Sequence, residues 1–183
     1  MSETVNLTID GKTLSVPKGT NLIEAAKLAG IIIPHYCYHP DLSIAGNCRM
    51  CQVAVKGAPK LTIACNTQVT EGMEVTTNSK EVKDAQSATL EFILINHPLD
   101  CTVCDQAGHC KLQDYHFEYN AKPSRFLEEK EHKPKAVPLG PTVMLDGERC
   151  IMCTRCIRFC DEVTKTSELG MLNRGDRSVI SIN

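Results

Sequence analysis

Cys37, Cys48, Cys51 and Cys65 are spaced C-x10-C-x2-C-x13-C. Their thiolates are soft, negatively charged ligands, and such a set suits an iron–sulfur cluster or a zinc ion. The two-residue gap lets Cys48 and Cys51 reach neighbouring positions on one metal centre. The Ala45-Gly46-Asn47 stretch before them is compact. Gly46 permits the close approach through which backbone N–H groups reach sulfur and tune a cluster's potential. His35 and His39 flank Cys37 and could ligate. Four cysteines already complete a set, so both are read as surface or packing residues.

A second set lies in His97-Pro98-Leu99-Asp100-Cys101-Thr102-Val103-Cys104-Asp105-Gln106-Ala107-Gly108-His109-Cys110, spaced H-x3-C-x2-C-x5-C. A lone His at a helix end is ordinarily a cap or a core residue. Three cysteines at fixed offsets and the His-Pro context favour ligation by His97, Cys101, Cys104 and Cys110. A neutral imidazole in place of one thiolate makes a cluster site less negative and its reduction easier. Pro98 biases His97 away from the helical region. His109 is read as a non-ligand.

The third set is Cys150, Cys153 and Cys156, a C-x2-C-x2-C run whose thiolates can hold three corners of a [4Fe–4S] cube. Cys160 follows, but Asp161 stands where two-cluster ferredoxin runs carry Pro. Arg149, Arg155 and Arg158 either offset cluster charge or sit solvated at the surface.

These sets need elements to hold them. Val5, Leu7 and Ile9 alternate with polar neighbours, as in a strand, and Asp10-Gly11 is a hairpin turn signal. Lys12 to Val16 reads as the return strand. Thr20 or Asn21 can cap a helix with Leu22, Ala25, Ala26 and Ala29 on its apolar face, ending near Gly30. Strands follow at Gln52–Val55, Leu61–Ala64 and Glu74–Thr77. Lys80 to Ile95 reads as a helix facing inward through Val82, Ala85, Thr89, Phe92 and Ile93. A short helix is expected from His109 to Tyr119. Pro123, Pro134, Pro138 and Pro141 with the charges of Glu128 to Lys133 make 121–141 a solvated linker.

Composition narrows the function. Net charge is −2, without the clustered cations that nucleic acid binding needs. No apolar stretch is long enough to span a bilayer. Met1-Ser2-Glu3-Thr4 shows no basic stretch ahead of an apolar run, so no secretory leader is expected. In a reducing compartment, eleven cysteines point to metal or redox cofactors rather than disulfides. No G-x-G-x-x-G occurs, so no dinucleotide site or substrate-level active site is expected on this chain.

The order of the motifs resembles the large iron–sulfur subunit (G or 75 kDa type) of respiratory complex I, NADH:quinone oxidoreductase. Residues 1–78 are similar to its [2Fe–2S] ferredoxin domain. They depart from the plant-type C-x4-C-x2-C spacing through a ten-residue first gap that the matching relatives share. His97 to Cys110, with Leu112-Gln113-Asp114 after it, closely resembles the family's His(Cys)3 segment.

The resemblance implies an α+β chain. A β-grasp [2Fe–2S] domain would occupy residues 1–78, with Cys37, Cys48, Cys51 and Cys65 as ligands. A small helical [4Fe–4S] domain would follow over 79–122, held by His97, Cys101, Cys104 and Cys110. After a linker at 123–141, residues 142–183 would begin a loop-rich [4Fe–4S] ferredoxin-like segment holding its cluster through Cys150, Cys153 and Cys156. In the family the fourth ligand of that cluster lies well downstream. The favoured reading is that the chain is a fragment, with Cys160 an accessory, packed cysteine; the alternative is that Cys160 or a partner supplies that ligand.

The implied role is electron transfer from a flavin-bearing, NADH-binding partner toward quinone-side iron–sulfur subunits. The subunit would be peripheral, on the cytoplasmic side of the inner membrane, in a bacterial cytoplasm. Alternatives are the diaphorase-type subunit of an NAD-linked hydrogenase, a formate dehydrogenase, or a zinc-binding interaction module.

Overall fold

Strand β1 (Thr4–Ile9) turns back on β2 (Lys12–Pro17) through Asp10 and Gly11, at φ 47° and 80°. Both turn residues are left-handed, as a two-residue type I′ hairpin requires. Register is direct, from Thr4 opposite Pro17 to Ile9 opposite Lys12. The computed structural model describes residues 3–183. Met1 and Ser2, which open the stretch read as carrying no leader, lie outside the described residues. The chain forms two units. One runs up to Tyr38 and includes Gly46–Thr89; the other is His39–Ala45 with Leu90–Asn183.

In the first unit, β3 (Gln52–Val55), β4 (Thr62–Ile63) and β5 (Met73–Thr76) complete a sheet of order β2-β1-β5-β3-β4. β1 and β5 are parallel, and the other pairs are antiparallel. Helix α1 (Leu22–Leu28) starts at Asn21, whose Oδ1 accepts from Glu24 N at 3.0 Å. Thr20 instead turns its hydroxyl to the Pro17 carbonyl. Leu22, Ile23, Ala25 and Ala26 pack with Val5, Leu7, Ile9, Val16, Val53 and Val75 in one core. Each large apolar side chain buried there contributes about 1.5–3 kcal/mol. This mixed α/β architecture, a helix packed with a small sheet, agrees with the coarse expectation for the N-terminal domain.

Helix α2 (Lys80–Leu94) begins with the Ser79 hydroxyl accepting from Val82 N. Its buried positions are Val82, Gln86 and Leu90, while Phe92 is 76% exposed. The expected face through Val82, Ala85, Thr89, Phe92 and Ile93 is therefore rotated. An i, i+4 row puts Gln86 inside, where its Nε2 donates to the Gln52 carbonyl at 3.2 Å. A polar residue that meets a backbone acceptor can occupy an inward position that hydrophobicity alone would deny it.

The second unit is poorer in regular structure. Helix α3 (Lys111–Tyr119) buries Leu112 and Tyr115 and starts just after Cys110, two residues later than expected. Strands β6 (Val137–Pro138) and β7 (Met144–Leu145) pair antiparallel. Helix α4 (Arg155–Phe159) continues into a π-helical turn at Cys160–Thr164. Strands β8 (Leu169–Leu172) and β9 (Val179–Ile182) form a hairpin.

The segment read as a solvated linker is mostly exposed but tied down. Lys130 Nζ donates to the Leu94 and Ile95 carbonyls at 2.9 and 2.6 Å, capping the end of α2. Lys133 reaches the Ser178 carbonyl, and Val137–Pro138 is β6. Charges that look solvated in sequence are here donors to backbone carbonyls. No helix among the described residues is long and apolar enough to cross a membrane.

Candidate metal centres

Cys37, Cys51 and Cys65 are each 1% exposed, and Cys48 is half-buried. Cys51 immediately precedes β3, and Cys65 sits in a 3-10 turn (Ala64–Asn66) directly after β4. Ala64 N donates to the Cys51 carbonyl at 2.8 Å, which joins the two ends of the site. Gly46 and Arg49 are both left-handed, at φ 62° and 57°, and coil the loop carrying Cys48. A Cβ on Gly46 would lie 3.2 Å from Ile63 Cδ1, so any other residue would push the end of Ile63 aside by a few tenths of an ångström at a φ that favours glycine.

The thiols of this set are linked by hydrogen bonds from Cys48 to Cys37, Cys65 to Cys37 and Cys65 to Cys51. Thiol donors from Cys48 and Cys65 pull Cys37 far below the usual thiol range. The Cys65 thiol likewise lowers Cys51. Cys48, which donates to Cys37, and Cys65, which donates to both Cys37 and Cys51, are pushed up. Backbone N–H groups of Asn47 and Cys48 also point at the Cys37 sulfur, as a cluster-wrapping loop should arrange. Four converging sulfurs joined by hydrogen bonds, with amide donors around them, fit a thiolate-held cluster.

The second set lies on irregular chain between α2 and α3. Cys101 opens a 3-10 turn (Cys101–Val103), Gly108 turns the chain at φ 82°, and Cys110 precedes the first residue of α3. Cys101 is exposed, while Cys104 and Cys110 are half-buried. The positive end of α3 favours negative charge at Cys110. His97 Nδ1 lies 3.0 Å from the Pro98 carbonyl. Burial holds its pKa below the ordinary imidazole value, against the pull of the Pro98 and Arg149 carbonyls. The ring is therefore neutral near pH 7, the form a metal requires. Its chemistry fits a mixed imidazole–thiolate set. His109 N donates to the Gln106 carbonyl beside Cys110.

In the third set, Met152 and Thr154 adopt φ 53° and 59°, so the loop from Cys150 to Cys156 coils tightly without glycine. Cys150 Sγ lies 3.8 Å from Met152 Sδ. Burial raises the Cys150 and Cys156 thiols, and the neighbouring charge of Cys153 adds to both shifts. Cys160 is 9% exposed and close enough to Cys156 for their charges to interact. All eleven cysteines are free thiols. Among the described residues, no group of three or more His, Cys, Asp or Glu side chains is arranged to hold a single metal ion.

The structure adds residues whose importance spacing did not reveal. Arg158, for which surface solvation was an open reading, is 9% exposed. Its guanidinium donates to the Ser43 carbonyl and, at 3.3 Å, to the Cys153 carbonyl. Glu162 accepts from Ser43 N at 2.7 Å and from its hydroxyl. Arg149 pairs with Asp100 and Asp146 and lies close enough to Cys104 for their charges to interact. The sequence signal for Arg149 and Arg158 was only nearness to a cysteine, which also describes the exposed Arg155.

In an Arg158→Met variant the Ser43 and Cys153 carbonyls lose a charged donor. We expect a loss of about 1.5–3 kcal/mol in denaturant unfolding, the scale of hydrogen bonds to charged groups. An unchanged midpoint would mean that water replaces the guanidinium at no cost.

A small mixed sheet with four clustered thiols, three of them buried, followed by two further thiol-bearing segments, defines an iron–sulfur protein with 2Fe–2S and 4Fe–4S binding domains. A family described as "2Fe-2S iron-sulfur cluster binding domain" matches residues 2–80. "NADH-ubiquinone oxidoreductase-G iron-sulfur binding region" matches 86–125, and "NADH-quinone oxidoreductase subunit 3, ferredoxin-like domain" matches 140–183. The chain belongs to the family of the large, G-type iron–sulfur subunit of NADH-quinone oxidoreductase.

It is 44% identical over 177 residues to the G-type subunit of NADH-quinone oxidoreductase from Rickettsia bellii, covering 97% of this chain and 26% of that one. It is 46% identical over 175 residues to the mitochondrial NADH-ubiquinone oxidoreductase 78 kDa subunit of Candida albicans, covering 94% and 24%. The chain thus spans about a quarter of the length of these curated relatives. Among solved structures, an NAD+-reducing [NiFe]-hydrogenase in the H2-reduced state superposes with a TM-score of 0.87 at 27% identity, covering 98% of this chain and 75% of that one.

Proposed function

We propose that this chain is an electron-relay portion of an NADH:quinone oxidoreductase. In this reading residues 1–78 hold a [2Fe–2S] cluster through Cys37, Cys48, Cys51 and Cys65. Residues 79–122 hold a [4Fe–4S] cluster through His97, Cys101, Cys104 and Cys110. Residues 123–141 connect to 142–183, where Cys150, Cys153 and Cys156 supply three ligands of a second [4Fe–4S] cluster. Cys160 or a residue outside this sequence completes that set. When bound, the clusters supply one-electron acceptance and release. The chain's own part is to grip them, exclude water and set their potentials.

The observation that carries the reading is the convergence of four thiols, three of them 1% exposed, followed in the same chain by two further cysteine sets in the order of the matched family. The partners are then a flavin-bearing, NADH-binding subunit upstream and quinone-side iron–sulfur subunits downstream. The location is peripheral, on the cytoplasmic side of the inner membrane.

A second reading, the diaphorase-type arm of an NAD-linked hydrogenase, is favoured by the hydrogenase superposition. The higher identity to quinone-linked relatives weighs toward the first. Anaerobically reconstituted chain should contain about six irons and six sulfides, or about ten of each if the third site fills, and give paramagnetic signals on reduction. Colourless, silent protein would sink both readings. A native complex captured on this chain should reduce quinone with NADH; hydrogen-dependent reduction of NAD+ instead would select the hydrogenase.

A further inference from the structure

Asp100 immediately precedes Cys101, and Arg149 immediately precedes Cys150. The two side chains meet. Arg149 Nη2 and Nε lie 3.2 and 3.3 Å from Asp100 Oδ2, and Nε lies 3.1 Å from Asp146 Oδ2. Lys135 Nζ sits among three carboxylates, at 2.7 Å from Asp100, 3.2 Å from Asp146 and 2.8 Å from Glu148. Glu148 also accepts from His132 Nδ1 at 2.7 Å.

This is more than a surface ion pair. The Asp100, Asp146 and Arg149 side chains are 30, 21 and 25% exposed, and Glu148 only 7%. Isolated exposed pairs contribute little, but networks with partly buried members are screened far less. The formal balance is three carboxylates against Lys135 and Arg149, before any charge on His132. The removal of either strong cation therefore leaves uncompensated negative charge beside Cys101. The backbone of Arg149 also hydrogen-bonds the His97 ring, and its side chain interacts with Cys104. One residue thus acts on two members of the second set and on the neighbour of a third, while its peptide bond leads into the third set.

We propose that Asp100, Arg149 and Lys135 form a charge clamp that holds the second and third cysteine loops together and sets the reduction potential of the cluster at the second set. The proposal rests on the ligand reading above. The three side chains are positioning residues. The cations lower the cost of adding an electron nearby, and Asp100 offsets them. Sign is what separates charge control from a purely mechanical tie.

The test uses the full chain, reconstituted anaerobically, with iron counted and the second cluster titrated by electron paramagnetic resonance. Arg149→Gln and Lys135→Gln should keep their iron and lower the midpoint. At the parent midpoint the reduced-to-oxidised ratio should fall about tenfold, which is ~59 mV for a one-electron couple. Asp100→Asn should raise the midpoint, and Arg149→Lys should return it toward the parent value. Three unchanged midpoints, or shifts of one sign in all three, would overturn the proposal. So would iron loss in Arg149→Gln that Arg149→Lys does not repair, because charge would then not be the operative property. Failure of the ligand reading looks different: the parent chain itself would lack the second cluster.

Discussion

A Cys65→Ser chain should lose about two of its roughly six irons and the [2Fe–2S] signal, while the [4Fe–4S] signal stays. Cys65 is the residue to choose because it is central to its set. It is 1% exposed and hydrogen-bonded to both Cys37 and Cys51. A serine hydroxyl is a harder, less acidic donor in the same volume, so the cavity persists and the soft ligand does not. Substitution should disturb little else, because the other two sets lie in the second unit. Cys160→Ser is the control. If Cys160 only packs against the end of α4, iron content stays at the parent level. Loss of all iron from Cys65→Ser would show that the sets do not load independently. Retention of all iron would remove Cys65 from the ligand set.

The second large effect is expected at His97. His97→Cys replaces a neutral donor with a thiolate, which adds one negative charge to the site. The cluster should remain, and its midpoint should fall by on the order of 100 mV, following the trend by which imidazole ligation raises potentials. The neutral state of His97 in this fold supports the direction, since burial already disfavours its charged form. A redox titration with an unmoved midpoint would refute the charge argument while leaving ligation intact. A lost cluster in His97→Ala alongside a retained one in His97→Cys would show that a donor is needed at this position.

Much of the local structure was legible in the sequence. The Asp10-Gly11 hairpin, the Asn21 cap and the β3 strand follow from rules that operate over a few residues, such as turn chirality, side-chain capping and alternation. The inward face of α2 was misread because Gln86 is polar. Its burial depends on the Gln52 carbonyl, thirty-four residues away. Segment 121–141 shows a similar dependence on distant chain. Prolines and charges forecast exposure, which is largely observed, but not that Lys130, Lys133 and Lys135 would find acceptors on distant chain.

The candidate donors divide in the same way. Their types and order stand in the amino-acid string, because a metal-binding loop must carry its thiols and imidazole at short, fixed offsets. Which charges surround them does not. Arg155 and Arg158 each lie within two residues of a cysteine, yet one is exposed and the other is buried against the Cys153 carbonyl. Asp100 and Arg149 are forty-nine residues apart and meet only in the folded chain. Covalent order dictates which donor atoms are offered and in what succession. Folding settles which sulfurs are screened from water and which cations stand beside them, since desolvation and charge pairing depend on neighbours brought in from far along the chain.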